Sequence, residues 1–429
     1  MDLLNWNYLW IIIVFTVGYT AIILEHYIKV NKTAVALLIA VLCWTLYLVC
    51  SEASVSEDVR ELGLHVSNVS QIIFFLMGAM ALVELIDSHR GFKIVTDRIH
   101  PSSKRTMLCI IALVTFFLSA VLDNLTTTIL MVSLLRKLIP HKTDRLLLCC
   151  VVVIAANAGG AWSPIGDVTT TMLWINGQIS SFSVMKALFI PSFISLLIPT
   201  LFYMWKVKGK YPLLSKEQKE ARVEPGATLV LALGVGGLMS VPVFKTLTGL
   251  PPFMGVLLAL SVLWLVTDLM HHKFEERQHL RIPHILTRVD TSGVLFFLGI
   301  LLCVNALEAA GLLQAVAVWL DTTVRSLPMI AALIGLFSAV IDNVPLVAAT
   351  MGMYPLEQFP TDAPFWHMIA YAAGTGGSIL IVGSSSGVAL MGLEKIDFVS
   401  YLKKASLPAL LGYLVGFLVY MCLAPILAA

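Results

Sequence analysis

Charge is what this chain has least of. Asp, Glu, Lys and Arg make up 13% of its 429 residues, against about a quarter in a soluble domain. That scarcity excludes the two or three solvated domains that the length alone would suggest. The net charge of +2 is too small to point to nucleic acid as a partner. Cysteine is equally uninformative. Cys43, Cys50, Cys109, Cys149, Cys150, Cys303 and Cys422 form no CxxC pair and fit no zinc spacing, so they read as small hydrophobes. No HExxH motif and no Walker loop occurs, and no Gly-x-Ser-x-Gly elbow is read. An enzyme, a nucleotide-driven pump and a cofactor protein are therefore not expected. The first residues, MDLLNWNYLW, lack the basic start of a secretory signal and the Arg and Ser of a transit peptide.

Apolar residues fill the space: 58% of the chain, with a mean hydropathy of +0.89. The length is spent on spans of about 20 residues, so the expected partner is a lipid bilayer. Spans are read at 6–24, 33–50, 69–86, 184–205, 228–244, 252–269, 292–310 and 405–427. Two more, 146–178 and 366–393, are long and broken by Gly and polar residues. Two other stretches, 107–139 and 328–353, are interrupted near the middle by Asp-Asn. Those residues do not belong on a lipid-facing helix. The predicted solution is a re-entrant hairpin whose polar tip is buried in protein.

This reading yields an all-helical polytopic fold of roughly ten crossings. Basic residues test it. With both termini outside, periplasmic in a bacterial inner membrane, every Lys and Arg except Arg60, Lys186, Lys245 and Arg325 falls in an inside loop. The outside loop 51–68 is acidic instead. The inside loop 270–291 holds His271, His272, His279 and His284 and reads as a solvated basic loop.

A repeat underlies the pattern. Ser119-Ala-Val-Leu-Asp123-Asn124 recurs as Ser338-Ala-Val-Ile-Asp342-Asn343, and Ala156-Asn157-Ala-Gly-Gly160 is echoed by Ala373-Gly-Thr375-Gly-Gly377. The expected halves are 1–205 and 228–429, joined by a cytoplasmic linker, 206–227. Each half makes an odd number of crossings, so the second is expected to lie inverted. Inverted repeats with interrupted helices at the midplane characterise secondary transporters.

The intramembrane polar residues are the candidate site. They are Asp123, Asn124 and Thr126 at the first tip, and Asn157, Ser163 and Asp167 in the first broken span. Asp342, Asn343, Thr375, Ser384 and Ser385 form the corresponding set, in which Ser384 stands where the first half has Asp167. Asn oxygens, hydroxyls, carboxylates and carbonyls freed by unwinding are hard donors that suit a small hard cation. A carboxylate withdrawn from water must be neutralised, by a proton or by a cation. Competition between the two is the simplest antiport mechanism. Sodium is expected at Asp123, Asn124, Asn157, Asp342 and Asn343, while Glu84 and Glu308, near the ends of equivalent spans, are candidate proton relays. Packing without binding is the competing account of the isolated Ser and Thr residues.

The stretches Phe116–Thr128, Val151–Trp174 and Gly78–Asp87, with the tip Asp342-Asn343-Val-Pro345, resemble the NhaD sodium/proton antiporters of the ion transporter superfamily. The resemblance covers about residue 65 to the C-terminus. It implies sodium and lithium as substrates, expulsion driven by the proton gradient, and a homodimer whose scaffold holds a moving transport unit. A sodium-coupled carboxylate or other anion carrier of the same superfamily is the alternative. Such carriers typically place Ser-Asn-Thr at the tips, where this chain has Asp-Asn twice.

Overall fold

The computed structural model describes residues 8–23, 25–96, 103–139, 141–207, 209–210, 224–396 and 398–428. Most of the expected linker, and Arg98 among the sorted basic residues, lie outside the described residues. Within them the chain is helical and forms no strand.

The first half contains α1 (Leu9–Ile23), α2 (Lys32–Cys50), α3 (Val55–Ser88), α4 (Lys104–Ser119), α5 (Asn124–Leu138), α6 (Lys142–Ala161), α7 (Val168–Ile175) and α8 (Ser181–Lys206). The second contains α9 (Ala227–Thr248), α10 (Pro252–His271), α11 (Thr291–Ala309), α12 (Leu312–Thr323), α13 (Leu327–Phe337), α14 (Asn343–Met353), α15 (Pro364–Gly376), α16 (Ser385–Glu394) and α17 (Leu407–Ala428). Among the described residues eight helices are long and apolar enough to cross a membrane, or nine if the bent pair α12–α13 counts as one span.

Both Asp-Asn interruptions are helix breaks, α4 to α5 and α13 to α14. Both broken spans are breaks as well, α6 to α7 across Ser163-Pro164 and α15 to α16 across Gly377–Gly383. Pro164 has no N–H to continue a helix, and its ring clashes with the preceding turn.

Two features differ from the sequence reading. Residues 55–68, expected as a loop, are the first turns of α3. Ser54 and Glu57 form a reciprocal capping box, and Glu57 and Asp58 put negative charge in the first turn. A polar helix of this kind has no apolar run to announce it. Helix α12 likewise has no counterpart in the sequence reading. It is a short amphipathic helix that meets α13 at 120°.

The helices pack as two bundles, each drawing on both halves. One holds α1, α2, α3, α9, α10 and α11, with α2 against α11 and α3 against α10. The other holds α4 to α8, α13 and α15 to α17, with α4 and α5 against α6, α13 against α15, and α8 against α17; α14 bridges the two, packing on α11 of the first and on α7 and α15 of the second. Helix α6 lies at the centre of its bundle. Its apolar window is 83% buried, against 28% for α9 and α10, whose outer faces remain apolar and exposed.

The same close approaches recur in both halves. Ser119 donates to the Ala156 carbonyl at 2.7 Å, and Ser338 to the Ala373 carbonyl at 2.9 Å. A Cβ on Gly159 would lie 2.2 Å from the Phe116 oxygen, and one on Gly376 would lie 2.1 Å from the Gly335 oxygen. Only glycine lets each hairpin backbone touch its broken helix.

An ion-pair triad centred on the buried Glu394 joins the halves at one end. Glu394, closing α16, binds Arg145 through Oε1 at 3.0 Å and Oε2 at 2.9 Å, and Arg136 at 2.8 Å. Arg136 also donates to the Leu393 carbonyl. All seven cysteines are free, as expected. His272, His279 and His284 are exposed, but His271 is buried, with Nε2 3.0 Å from His89 Nε2. The solvated reading holds for three of the four.

Candidate functional site

The site is built where helices begin. Asp123 is the N-cap of α5; its Oδ1 accepts from the Thr126 N–H at 2.8 Å and its Oδ2 from the Thr126 hydroxyl at 2.6 Å. Asp167 is the N-cap of α7 and accepts from the Thr169 N–H at 3.4 Å. Ser384 is the N-cap of α16 and accepts from the Gly387 N–H at 3.4 Å. Asp342 is the N-cap of α14, without a side-chain cap bond. Thr126 stands three residues after Asp123, and Pro345 stands three after Asp342. Proline has no N–H to offer, so the second cap cannot close in the same way.

Side-chain amides tie these starts together across the halves. Asn124 Nδ2 donates to Asn157 Oδ1 at 3.2 Å, and Asn157 Nδ2 donates to Ser384 Oγ at 2.9 Å. Ser385 donates to Asn124 Oδ1 at 3.3 Å, and Ser386 to the Asn124 carbonyl at 3.0 Å. In the reciprocal contact Asn343 Nδ2 donates to Asp167 Oδ2 at 3.3 Å. Each hairpin Asn thus reaches the broken helix of the other half. Asn124, Asn157, Asp167, Asn343 and Ser384 are buried.

Two candidates face elsewhere. Ser163 is buried in the α6–α7 break, where its hydroxyl accepts from the Ile165 N–H at 3.4 Å. Thr375 donates to the Tyr371 carbonyl of its own helix at 2.6 Å. The turn Gly383-Ser-Ser-Ser-Gly387 does carry the letters of a nucleophile elbow, contrary to the sequence reading. Its central Ser385 hydroxyl is given to Asn124, and nothing in that bond activates a nucleophile.

Asp123 and Asp342 open onto one cavity of about 280 Å³, which Ser385, Lys32, Asp290 and Phe296 also line. It adjoins a wider vestibule of about 700 Å³ through shared Met80, Val83, Leu125 and Asp290. Glu84 lines the vestibule beside Thr126, 3.9 Å from Arg288. Glu308 lies away from both cavities, against Gly352 of α14 and within electrostatic reach of Glu61 and His65. The two relay candidates therefore sit in different surroundings. The sequence reading takes Lys32 only as a loop charge. A Lys directly after the Asn31 cap of a span was the available signal.

Electrostatics sets what the site prefers. Four helix N-termini, those of α5, α7, α14 and α16, carry about half a positive charge each, or roughly +2 together. With neutral caps that arrangement would attract an anion. Three caps are Asp, at −3 if ionised, which leaves about −1 overall. Carboxylate caps turn the preference of these helix starts away from an anion and toward a cation. Among the described residues no group of three or more His, Cys, Asp and Glu side chains is placed to hold a metal ion. Any cation here would rest on carboxylates together with neutral amide, hydroxyl and carbonyl oxygens.

Known proteins are similar to this chain in sequence. A family model described as citrate transporter matches residues 10–366. Sodium/proton antiporter 2 of Arabidopsis thaliana is 51% identical over 417 residues, covering 95% of this chain and 98% of that protein. Sodium/proton antiporter 1 of the same plant is 52% identical, covering 95% and 71%. The Na+/H+ antiporter NhaD of Vibrio cholerae is 30% identical over 443 residues, covering 96% and 91%. These relatives are transporters, not enzymes. The chain is a multi-pass membrane protein that belongs to the citrate-transporter family and, within it, to the NhaD-type sodium/proton antiporters.

Proposed function

We propose that the protein expels cytoplasmic Na+, and Li+, in exchange for external protons by alternating access. Cation and proton compete for Asp123, Asp167 and Asp342. The observation that carries this reading is the set of three Asp caps on four converging helix starts. They turn a dipole arrangement suited to anions into one suited to a cation. Asn124, Asn157, Asn343 and Ser385 supply neutral oxygens beside the carboxylates.

The orientation read from the basic loops makes the vestibule end cytoplasmic, since Arg90, Lys93 and Arg288 line its walls. The conformation is then inward-facing. Glu84 takes the role of proton relay at the mouth. The first bundle serves as scaffold and homodimer contact, and the second, clamped by Glu394, moves as the transport unit. The setting is a bacterial inner membrane with both termini periplasmic. The 51–52% relatives come from a plant; their similarity supports the exchange reaction and leaves the membrane to a localisation test.

Sodium-coupled carboxylate uptake is the second reading, favoured by the family's description. The experiment that separates them is proton flux in energised everted vesicles carrying a ΔpH dye. Na+ and Li+ should each collapse the gradient, K+ and citrate should not, and Asp123→Asn should lose at least about 100-fold of the rate, the order expected for removing a site charge. Sodium-dependent citrate uptake without cation-driven proton flux would move the protein to the anion carriers.

A further inference from the structure

Lys32 is the basic residue lining the cavity that Asp123 and Asp342 share. It opens α2, immediately after the N-cap Asn31, and its backbone N–H donates to Glu25 at 3.1 Å. The backbone of Lys32 is thus fixed at the rim while its side chain is directed inward. Its ammonium sits 4.7 Å from the centroid of Phe296, another wall of the cavity. An aromatic face holds a cation without neutralising it and lets it leave at low cost, about 0.5–2 kcal/mol in general. Lys32 and the Asp342 carboxylate line the same cavity. That carboxylate lacks the cap bond Asp123 enjoys, because Pro345 withholds the N–H.

Charge points the same way: Asp123, Asp342, Asp290 and Glu25 put four carboxylates on the wall of this cavity, and the Lys32 ammonium is set among them.

We infer that Lys32 is a tethered counter-cation, perched on Phe296, that balances the Asp342 side of the empty site and is displaced from it when Na+ arrives. It is an affinity-setting residue for the exchange reaction and not a ligand. The inference rests on the reading of the cavity as a sodium site. A tethered cation weakens sodium binding and speeds sodium release, because each sodium ion must enter against it and leaves as it returns. Transport therefore gains turnover at the expense of affinity.

The test is Na+ binding to purified protein in detergent, read as thermal stabilisation across a NaCl titration balanced with choline chloride, alongside Na+-dependent proton flux in proteoliposomes. Lys32→Met should tighten the apparent Kd and lower KM by on the order of tenfold, as expected when one unit charge is removed from across a small cavity. Its maximal rate should fall. Lys32→Arg, which keeps the charge and the aromatic contact, should restore both values. If Lys32→Met does not fold, Lys32→Gln keeps length and polarity and carries the same expectation. An unchanged or weakened Kd in the neutral variant, with wild-type protein still binding Na+, overturns the counter-cation. Wild-type protein that neither binds Na+ nor exchanges it overturns the transport reading itself.

Discussion

The two hairpin tips share the letters Ser-Ala-Val-x-Asp-Asn and differ in the residues immediately after them. At the first, Thr126 locks both carboxylate oxygens of Asp123. At the second, Pro345 leaves Asp342 without a cap bond, facing the cavity and Lys32. The broken spans differ in the same graded way, with Asp167 on one side and Ser384 on the other. A common backbone plan therefore carries two unequal electrostatic environments. One tip is preorganised; the other is free to respond. Strict symmetry would have given two equal tips and two equal broken spans, whereas the present arrangement puts three Asp caps and one Ser cap at the four helix starts.

The largest test of this contrast makes the spans equal. Asp167→Ser should copy the second half onto the first, cancel the residual negative charge and lower Na+-driven proton flux by at least about 100-fold, measured as initial rates in vesicles. Activity near wild type would show that Asp167 is only a helix cap.

Next come the close approaches that the halves share. Gly159→Ala places a Cβ 2.2 Å from the Phe116 oxygen, and Gly376→Ala places one 2.1 Å from the Gly335 oxygen. Both should shift backbone and destabilise the fold by about 1–3 kcal/mol. Thermal unfolding in detergent should show a comparable fall for each. A fall in only one would mean that the two hairpins are not held alike.

A smaller difference is expected between the two Asn residues. The Asn124 side chain joins Asn157 and Ser385, whereas that of Asn343 joins Asp167. Asn124→Ala should therefore raise the KM for Na+ more than Asn343→Ala, by about the worth of one further hydrogen bond, or roughly 1 kcal/mol. Equal effects would place the Asp167 contact on a par with the whole Asn124 network.

The smallest effect should come from Pro345→Thr. It gives Asp342 the donors that Asp123 already has, a cap worth about 1 kcal/mol. The thermal midpoint should rise slightly, and removing the charge of Lys32 in that background should matter less.

Much of this molecule was readable along the chain. Asp-Asn in an apolar run, and Pro164 or the Gly377–Gly383 stretch in a span, break helices through local chemistry. All four breaks fall where those residues stand. The start of α3 and all of α12 escaped, because a polar helix and a short amphipathic one carry no long apolar run. The candidate site was legible as a set of residue types, since ionisable groups in a span are costly wherever they occur. Which candidates meet was not. Ser163 and Thr375 look like Asn157 and Ser384 in sequence, yet their hydroxyls serve a local turn and their own helix.

By itself, the sequence determined the class of solvent, the helical build, the break points and the acid count of the site. Each stems from a residue's own transfer energy and backbone geometry, which act locally. Tertiary structure alone decided that Asn124 meets Ser385 across 261 residues and that Asn343 meets Asp167 across 176. It also decided that Lys32 turns into the shared cavity. Contacts at such separation form only when two bundles built from both halves close around them, and no local preference encodes that closure.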